Sequence, residues 1–188
     1  IDAVASGSPA SLDTPRTGTD MSCRTAAGTP ALVEAAGFGR SDVVQVLLVE
    51  AHADIEARDH AGFTALAVAA RGGHDETVRL LIDAGADVQT ASDPLGMSMT
   101  PLMLAGVWGH TSTVEMLLDA GAELETPNAM GYPALLWTLS GGHEDAARAM
   151  VERGADVHTE VDGYSAMRAA EVMEMTELVS LMAERAGS

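Results

Sequence analysis

Apolar residues in the stretch GFTALAVAARGG, residues 62–73, recur with the spacing of one helical face. Leu66, Ala69 and Ala70 occupy positions i, i+3 and i+4, which places them on the same side of an α-helix. Thr64 is suited to cap the start of this helix, because its side-chain oxygen can accept a hydrogen bond from the first turn. Two consecutive glycines then interrupt the pattern. We therefore predict a short helix between Thr64 and the glycines.

A second helical pattern follows at once in HDETVRLLIDAGAD, residues 74–87. Val78, Leu81 and Ile82 lie on one face of this helix. Gly85 stands at its C-terminal side, where a left-handed backbone costs least for glycine. The stretch from 62 to 87 is thus a pair of short helices, and an extended turn joins it to the next pair.

The same pattern recurs along the chain. Aligning the Gly-His step places residues 39, 73, 109, 142 and 174 as equivalents, at spacings of 34, 36, 33 and 32. A period near 33 indicates a stacked repeat, in which each helix pair buries its apolar face on its neighbour. The predicted units are 29–61, 62–96, 97–130, 131–162 and 163–186. Residues 1–28 are rich in small polar residues without apolar periodicity, so we predict a flexible tail or linker there.

Four sequence elements recur together at this period: T-P-L at 100–102, A-A-x-x-G-H at 69–74, then L-L and G-A-D. Together they resemble the ankyrin repeat over residues 29 to about 184. The resemblance implies an all-α solenoid of stacked helix pairs, joined by extended β-turn fingers, with atypical first and last units. It also implies a protein–protein interaction module that binds its partner on the concave face, formed by the turns and the first helices.

The chain departs from the family pattern at the start of the first helices. Pro101 takes the first helical position, where its missing N–H costs nothing. Pro30 and Pro133 stand one position earlier, which predicts that their helices begin one residue sooner. The histidine of T-P-L-H is replaced in every unit, so we expect the hydrogen bonds it makes at the helix start to be missing. The replacements are Val33, Ala67, Met103, Leu136 and Arg168.

Charge and length exclude several classes of partner. Acidic residues outnumber basic ones 28 to 10, and a formal charge of -18 repels a phosphate backbone, so we expect no nucleic-acid partner. The sequence contains no apolar run long enough for membrane insertion. Cys23 is the only cysteine, which excludes an intramolecular disulfide. The chain begins without Met and without a secretory leader, so we expect either processing or a piece of a longer protein. A soluble, intracellular monomer is the default expectation.

No residue pattern indicates catalysis. His74, His110 and His143 recur once per unit, which favours a hydrogen bond that locks the turn between the two helices over a metal ligand. The glycines form neither GxGxxG nor a P-loop, so no cofactor is expected. Cys23 has no paired histidine. We therefore predict that the protein is not an enzyme and has no metal site.

Aromatic residues are few and unevenly placed. Phe63, Tyr132 and Tyr164 each follow a turn glycine, at the position that points to the concave face in the family that the chain resembles. Trp108 occupies the variable position before Gly-His, and Trp137 lies inside a first helix. Aromatic residues are enriched at binding hot spots, which makes these five candidate anchors. The alternative is that they only pack against neighbouring turns.

Methionines and carboxylates in the turns complete the predicted face. Met99 and Met130 lie in extended turns and are candidate contacts. Asp59, Asp93 and Asp162 flank the aromatic positions, so we expect a basic partner with exposed apolar side chains. The alternative function is a regulatory or targeting segment of a longer multidomain enzyme or channel.

Overall fold

A computed structural model describes residues 24–25, 28–93 and 96–187. Ten helices within these residues form five consecutive pairs, and two short strands precede the last pair. The helices are α1 (Ala31–Gly37), α2 (Ser41–Val49), α3 (Ala65–Gly72), α4 (Asp75–Asp83), α5 (Pro101–Val107), α6 (Thr111–Asp119), α7 (Ala134–Ser140), α8 (Glu144–Glu152), α9 (Ala166–Val172) and α10 (Thr176–Ala186). The strands β1 (Glu160–Val161) and β2 (Tyr164–Ser165) pair antiparallel.

The helix pairs stack in two layers. The first helices α1, α3, α5, α7 and α9 each contact the next one along the chain, and so do the second helices α2, α4, α6, α8 and α10. One continuous apolar core runs between the layers. This arrangement confirms the predicted all-α solenoid of stacked helix pairs. We use the word finger for the extended turn that precedes each first helix.

Small residues allow the first helices to approach one another closely. Ala36, Ala69, Ala70 and Ala105 are completely buried where α1, α3 and α5 meet. The contact between α5 and α7 is different, because Gly106 faces a buried threonine, Thr138. A Cβ atom built on Gly106 would overlap the Thr138 hydroxyl. Glycine on one helix therefore makes room for the larger side chain on the next.

Hydroxyl side chains cap three of the first helices; the sequence predicts the cap at Thr64, and Ser165 Oγ accepts a further such bond from the N–H of Arg168 at 3.3 Å. Thr64 Oγ1 accepts a hydrogen bond from the N–H of Ala67 at 3.3 Å, and Thr100 Oγ1 accepts one from Met103 at 3.3 Å. α5 begins at Pro101, as predicted. These bonds satisfy backbone donors that have no partner inside the helix.

The prediction that Pro30 and Pro133 begin their helices one residue sooner is wrong. The helices begin at Ala31 and Ala134, eight residues before the aligned glycine (31 and 39, 134 and 142), as in the other units. Both prolines are in the cap position with an extended backbone, at ψ 127° and 170°. Packing between units sets the helix start, because a shifted helix would lose its contacts with both neighbours.

The first finger begins before the predicted boundary of the tail. The Arg24 guanidinium donates a hydrogen bond to the carbonyl of Gly28 at 2.6 Å. Arg58 makes the same contact in the next finger, to the carbonyl of Gly62 at 2.9 Å. Arg24 thus belongs to a finger, although it lies inside the stretch 1–28. Residues 1–23, 26 and 27 of that stretch lie outside the described residues.

The histidines link neighbouring units and do not only lock their own turns. With the proton on Nε2, His74 donates to the carbonyl of Gly37 at 3.1 Å, and His110 donates to the carbonyl of Arg71 at 3.0 Å. Each ring lies against a glycine of the preceding unit; a Cβ on Gly73 would overlap the His110 ring. These bonds confirm a structural role, but the acceptor lies one unit earlier than the sequence suggests.

Candidate protein-binding face

The fingers and the first helices share one surface, which we call the finger face. An open cleft of about 400 Å³ lies on this surface between units 1 and 2. Thr29 and Asp59 from the fingers line it together with Phe38 and Arg71 from the ends of α1 and α3. Finger residues and helix-end residues are therefore available to the same partner.

Two of the predicted binding residues, Phe63 and Met99, are inside the protein. Phe63 is only 7% exposed, and the Arg71 guanidinium covers its ring at 4.9 Å from the centroid. Met99 is 3% exposed; its backbone pairs with Ser92, and the Asn128 amide donates to its sulfur at 3.8 Å. The expectation that Phe63 and Met99 present their side chains to a partner does not fit this burial. Both residues instead hold a finger against its neighbours.

The two turn tyrosines, Tyr132 and Tyr164, and the helical Trp137 are half-buried. Tyr132 and Trp137 form a tilted ring pair, with centroids 6.2 Å apart and planes at 60°. The indole Nε1 of Trp137 is buried without a hydrogen-bond acceptor among the described residues. Tyr164 lies in β2, opposite Val161. The structure therefore brings Tyr132 and Trp137 together, whereas Tyr164 belongs to the hairpin of the last finger.

Trp108 and Met130 are exposed, as their candidate role requires. Trp108 directly follows α5 and is 59% exposed. Met130 lies at the tip of the fourth finger, where its N–H donates to Asn128 Oδ1 at 2.9 Å. The backbone is held while the thioether side chain remains in solvent. Because the backbone is already held, only the side chain has to be ordered on binding.

Sequence reasoning missed two exposed residues of the finger face. Phe38 is 53% exposed and Met173 is also exposed, and both occupy the repeat position of Trp108. Glycine takes this position in units 2 and 4, at Gly72 and Gly141. Comparing this one position across the five units would have found both residues. Large apolar side chains thus alternate with glycine along the face.

The three predicted carboxylates differ in what they do. Asp59 Oδ1 accepts hydrogen bonds from the N–H groups of Ala61 and Phe63, both at 2.9 Å, so it holds its finger. Asp93 Oδ1 accepts one from Ser98 at 3.0 Å. Asp162 is exposed in the turn between β1 and β2, at φ +53°. Asp162 is the freest of the three to face a charged partner.

A carboxylate beside one of the recurring histidines, which we call the histidine ladder (His74, His110 and His143), has structural partners as well. Asp75, next to His74, accepts hydrogen bonds from the hydroxyls of Ser112 at 2.5 Å and Thr113 at 2.6 Å in the following unit. Among the described residues, no group of three or more His, Cys, Asp or Glu side chains is placed to hold a metal ion. Within the same residues, none of the helices has the length and apolar character needed to cross a bilayer.

Comparison with known proteins agrees with the two-layer stack and its fingers. The family model for ankyrin repeats in three copies matches residues 2–92 and 32–128. A relative from Caenorhabditis elegans, the ankyrin repeat and KH domain-containing protein mask-1, is 35% identical over 127 residues, which is 67% of this chain and 5% of the relative. Inversin from Danio rerio is 43% identical over 76 residues, 39% of this chain and 7% of that protein. The chain thus spans a small part of both relatives. Ankyrin repeats are generally non-catalytic scaffolds for protein–protein interaction, and this chain belongs to the ankyrin-repeat family.

Proposed function

We propose that this chain binds another protein through the finger face. The observation that carries the proposal is the row of exposed apolar residues at one repeat position, Phe38, Trp108 and Met173, together with the exposed Met130 at a fingertip. Exposed large apolar side chains that share one surface mark protein interaction sites more often than ones scattered singly. The stacked units hold the backbone at these positions in place before binding.

The charge of the chain supports a basic partner. The formal charge is -18, and Asp162 is exposed at the tip of the last finger. Charge complementarity of this kind accelerates the encounter between two proteins more than it strengthens the final complex. We therefore assign the association rate to the carboxylates and the dissociation rate to the apolar residues.

The experiment begins with a photo-crosslinking amino acid placed at residue 38 and, as a control, at residue 49. Val49 is 65% exposed on α2, in the second-helix layer, where units 2 to 5 carry an acid at the equivalent position. A partner that binds the finger face crosslinks from residue 38 and not from residue 49. The partner is then identified by mass spectrometry and purified.

Affinity measurements with the purified partner test the face directly. We expect Trp108→Ala to weaken binding by about 2 kcal/mol, mostly through faster dissociation. Val49→Ala removes an equally exposed apolar side chain from the other layer and should leave affinity unchanged. Asp162→Asn should slow association by a smaller factor that disappears at high salt. If Val49→Ala abolishes binding of the partner and Trp108→Ala does not, the partner binds the second helices and not the finger face.

A second candidate function follows from the relatives. The chain spans 5% and 7% of these two relatives, and the name of one of them includes a KH domain. In this second function the chain is the interaction segment of a longer multidomain protein, and its binding targets or regulates another domain of that protein. The genomic sequence on both sides of the coding region tests this. An intact reading frame that ends at these residues would exclude it.

A further inference from the structure

The cleft between units 1 and 2 is lined by a smaller side chain than the one that unit 4 carries at the same repeat position. Val68 lines the cleft from α3. The residue at this position in unit 4, five residues before the aligned glycine, is Trp137, whose ring centroid lies 6.2 Å from that of Tyr132. Because valine is much smaller than tryptophan, the cleft beside Val68 has room for a planar group from outside the chain.

The walls of the cleft carry charges that the equivalent positions lack. Glu34 from α1, Asp59 from the second finger and Arg71 from α3 all line it. The equivalents in units 3 and 4 are uncharged: Leu104, Asn128 and Ser140. Two carboxylates against one guanidinium leave a net negative wall, within a chain of formal charge -18. A cation is favoured in such a cleft over an anion.

An aromatic ring completes the cleft on its outer side. Phe38 lines the cleft and is exposed, so its ring is available to a ligand. A planar cation gains from the face of an aromatic ring and from carboxylates in the same site. Arg71 does not fill this role, because its guanidinium is already placed over the Phe63 ring.

We infer that this cleft takes the guanidinium group of an arginine side chain from the partner. The inference rests on the proposed function and deepens it, since it assigns a chemical identity to one residue of the partner. It also orients the partner: the arginine lies at units 1 and 2, and the apolar contact lies at Trp108 in unit 3.

The test uses N-acetyl-arginine amide as the probe and follows backbone amide signals of the whole chain by NMR. N-acetyl-citrulline amide is the matched control, because it has nearly the same shape without the charge. We expect saturable shifts at amides of α1 and of residues 59–63 with the arginine probe, and at least about threefold weaker binding of the citrulline probe.

Four variants locate the site. Val68→Trp copies the residue of unit 4 and should abolish the shifts by filling the cleft. Glu34→Gln and Asp59→Asn should each weaken binding about threefold. Asn is safe at 59, since Asn128 Oδ1 holds the fourth finger through the same pair of N–H bonds. Arg71→Gln should strengthen binding, because it removes a like charge.

The outcomes separate this inference from the proposed function. Equal binding of citrulline, or shifts that persist in Val68→Trp and in the Glu34→Gln/Asp59→Asn double variant, would overturn the arginine site. Weaker binding in Arg71→Gln would also overturn it, since that result indicates an anionic ligand. If Val68→Trp does not fold, the double variant alone decides. The proposed function is wrong only if Trp108→Ala leaves the affinity for the partner unchanged, and the result with the arginine probe does not affect that test.

Discussion

The contact between α5 and α7 allows a sharp test of how the units stack. Gly106→Ala would place a methyl group against the Thr138 hydroxyl, and against the Met150 methyl at 2.9 Å. The end of a methionine side chain can move, but Thr138 is completely buried and its hydroxyl already donates to the Ala134 carbonyl at 2.8 Å. Overpacking of this kind costs roughly 1–3 kcal/mol. Replacing glycine by alanine inside a helix stabilises the helix by about 1 kcal/mol. Because the overlap with the buried Thr138 hydroxyl is severe, we take the upper half of the overpacking range, about 2–3 kcal/mol, and expect a net loss of about 1–2 kcal/mol in the free energy of unfolding.

The equivalent contacts in the other units show which second change restores the packing. Where α1 meets α3, and where α3 meets α5, the same two positions are both alanine: Ala36 with Ala69, and Ala70 with Ala105. Thr138→Ala alone should cost about 1–2 kcal/mol, because it leaves a gap over Gly106. The double variant Gly106→Ala/Thr138→Ala recreates the alanine pair.

The assay is urea unfolding followed by far-UV circular dichroism, on both single variants and the double variant. We expect the double variant to be within about 1 kcal/mol of the parent, so that its loss is about 2 kcal/mol smaller than the sum of the single losses. If the loss of the double variant equals the sum of the two single losses within about 0.5 kcal/mol, the reasoning is refuted. A Gly106→Ala variant that is more stable than the parent would also refute it.

Three further predictions concern the histidine ladder. His110→Ala should lower the free energy of unfolding by about 1 kcal/mol, since it removes the hydrogen bond to the Arg71 carbonyl. The control His158→Ala, at an exposed position, should change it by less than about 0.5 kcal/mol. Equal losses in the two variants would show that the bond between His110 and Arg71 does not stabilise the fold. Gly73→Ala should lower the free energy of unfolding by at least about 1 kcal/mol more than Gly85→Ala does. Both glycines have a positive φ, but only a Cβ on Gly73 would overlap a histidine ring. Equal losses would mean that the His110 ring can move aside. Chelation by EDTA should leave the melting temperature unchanged, and a drop would indicate a metal site.

The repeat architecture could be predicted from local residue patterns. The helical spacing of Leu66, Ala69 and Ala70, the cap at Thr64 and Pro101 at a helix start all correspond to observed features. Each depends on residues within a few positions of one another. The start of α1 could not be predicted in this way, because it depends on alignment with the neighbouring helix.

The candidate site was predicted less well, for a related reason. Phe63 and Trp108 are both aromatic residues that the sequence makes candidate anchors, yet one is 7% exposed and the other 59%. Phe63 is covered by Arg71, eight residues further along, and no periodicity reveals that contact. Phe38 was overlooked although it shares its repeat position with Trp108. For that residue, comparison between units carried the missing signal.

The sequence by itself determined the period, the helix pairs and their caps, because hydrogen bonds and apolar faces within a short helix depend on nearby residues. The tertiary structure decided everything that crosses between units: that His110 reaches the Arg71 carbonyl, that Gly106 makes room for Thr138, and that the cleft beside Val68 is open. These contacts join residues about one repeat apart. Their side chains meet only after the units stack, and the volume of each neighbour then determines whether a side chain is buried or available to a partner.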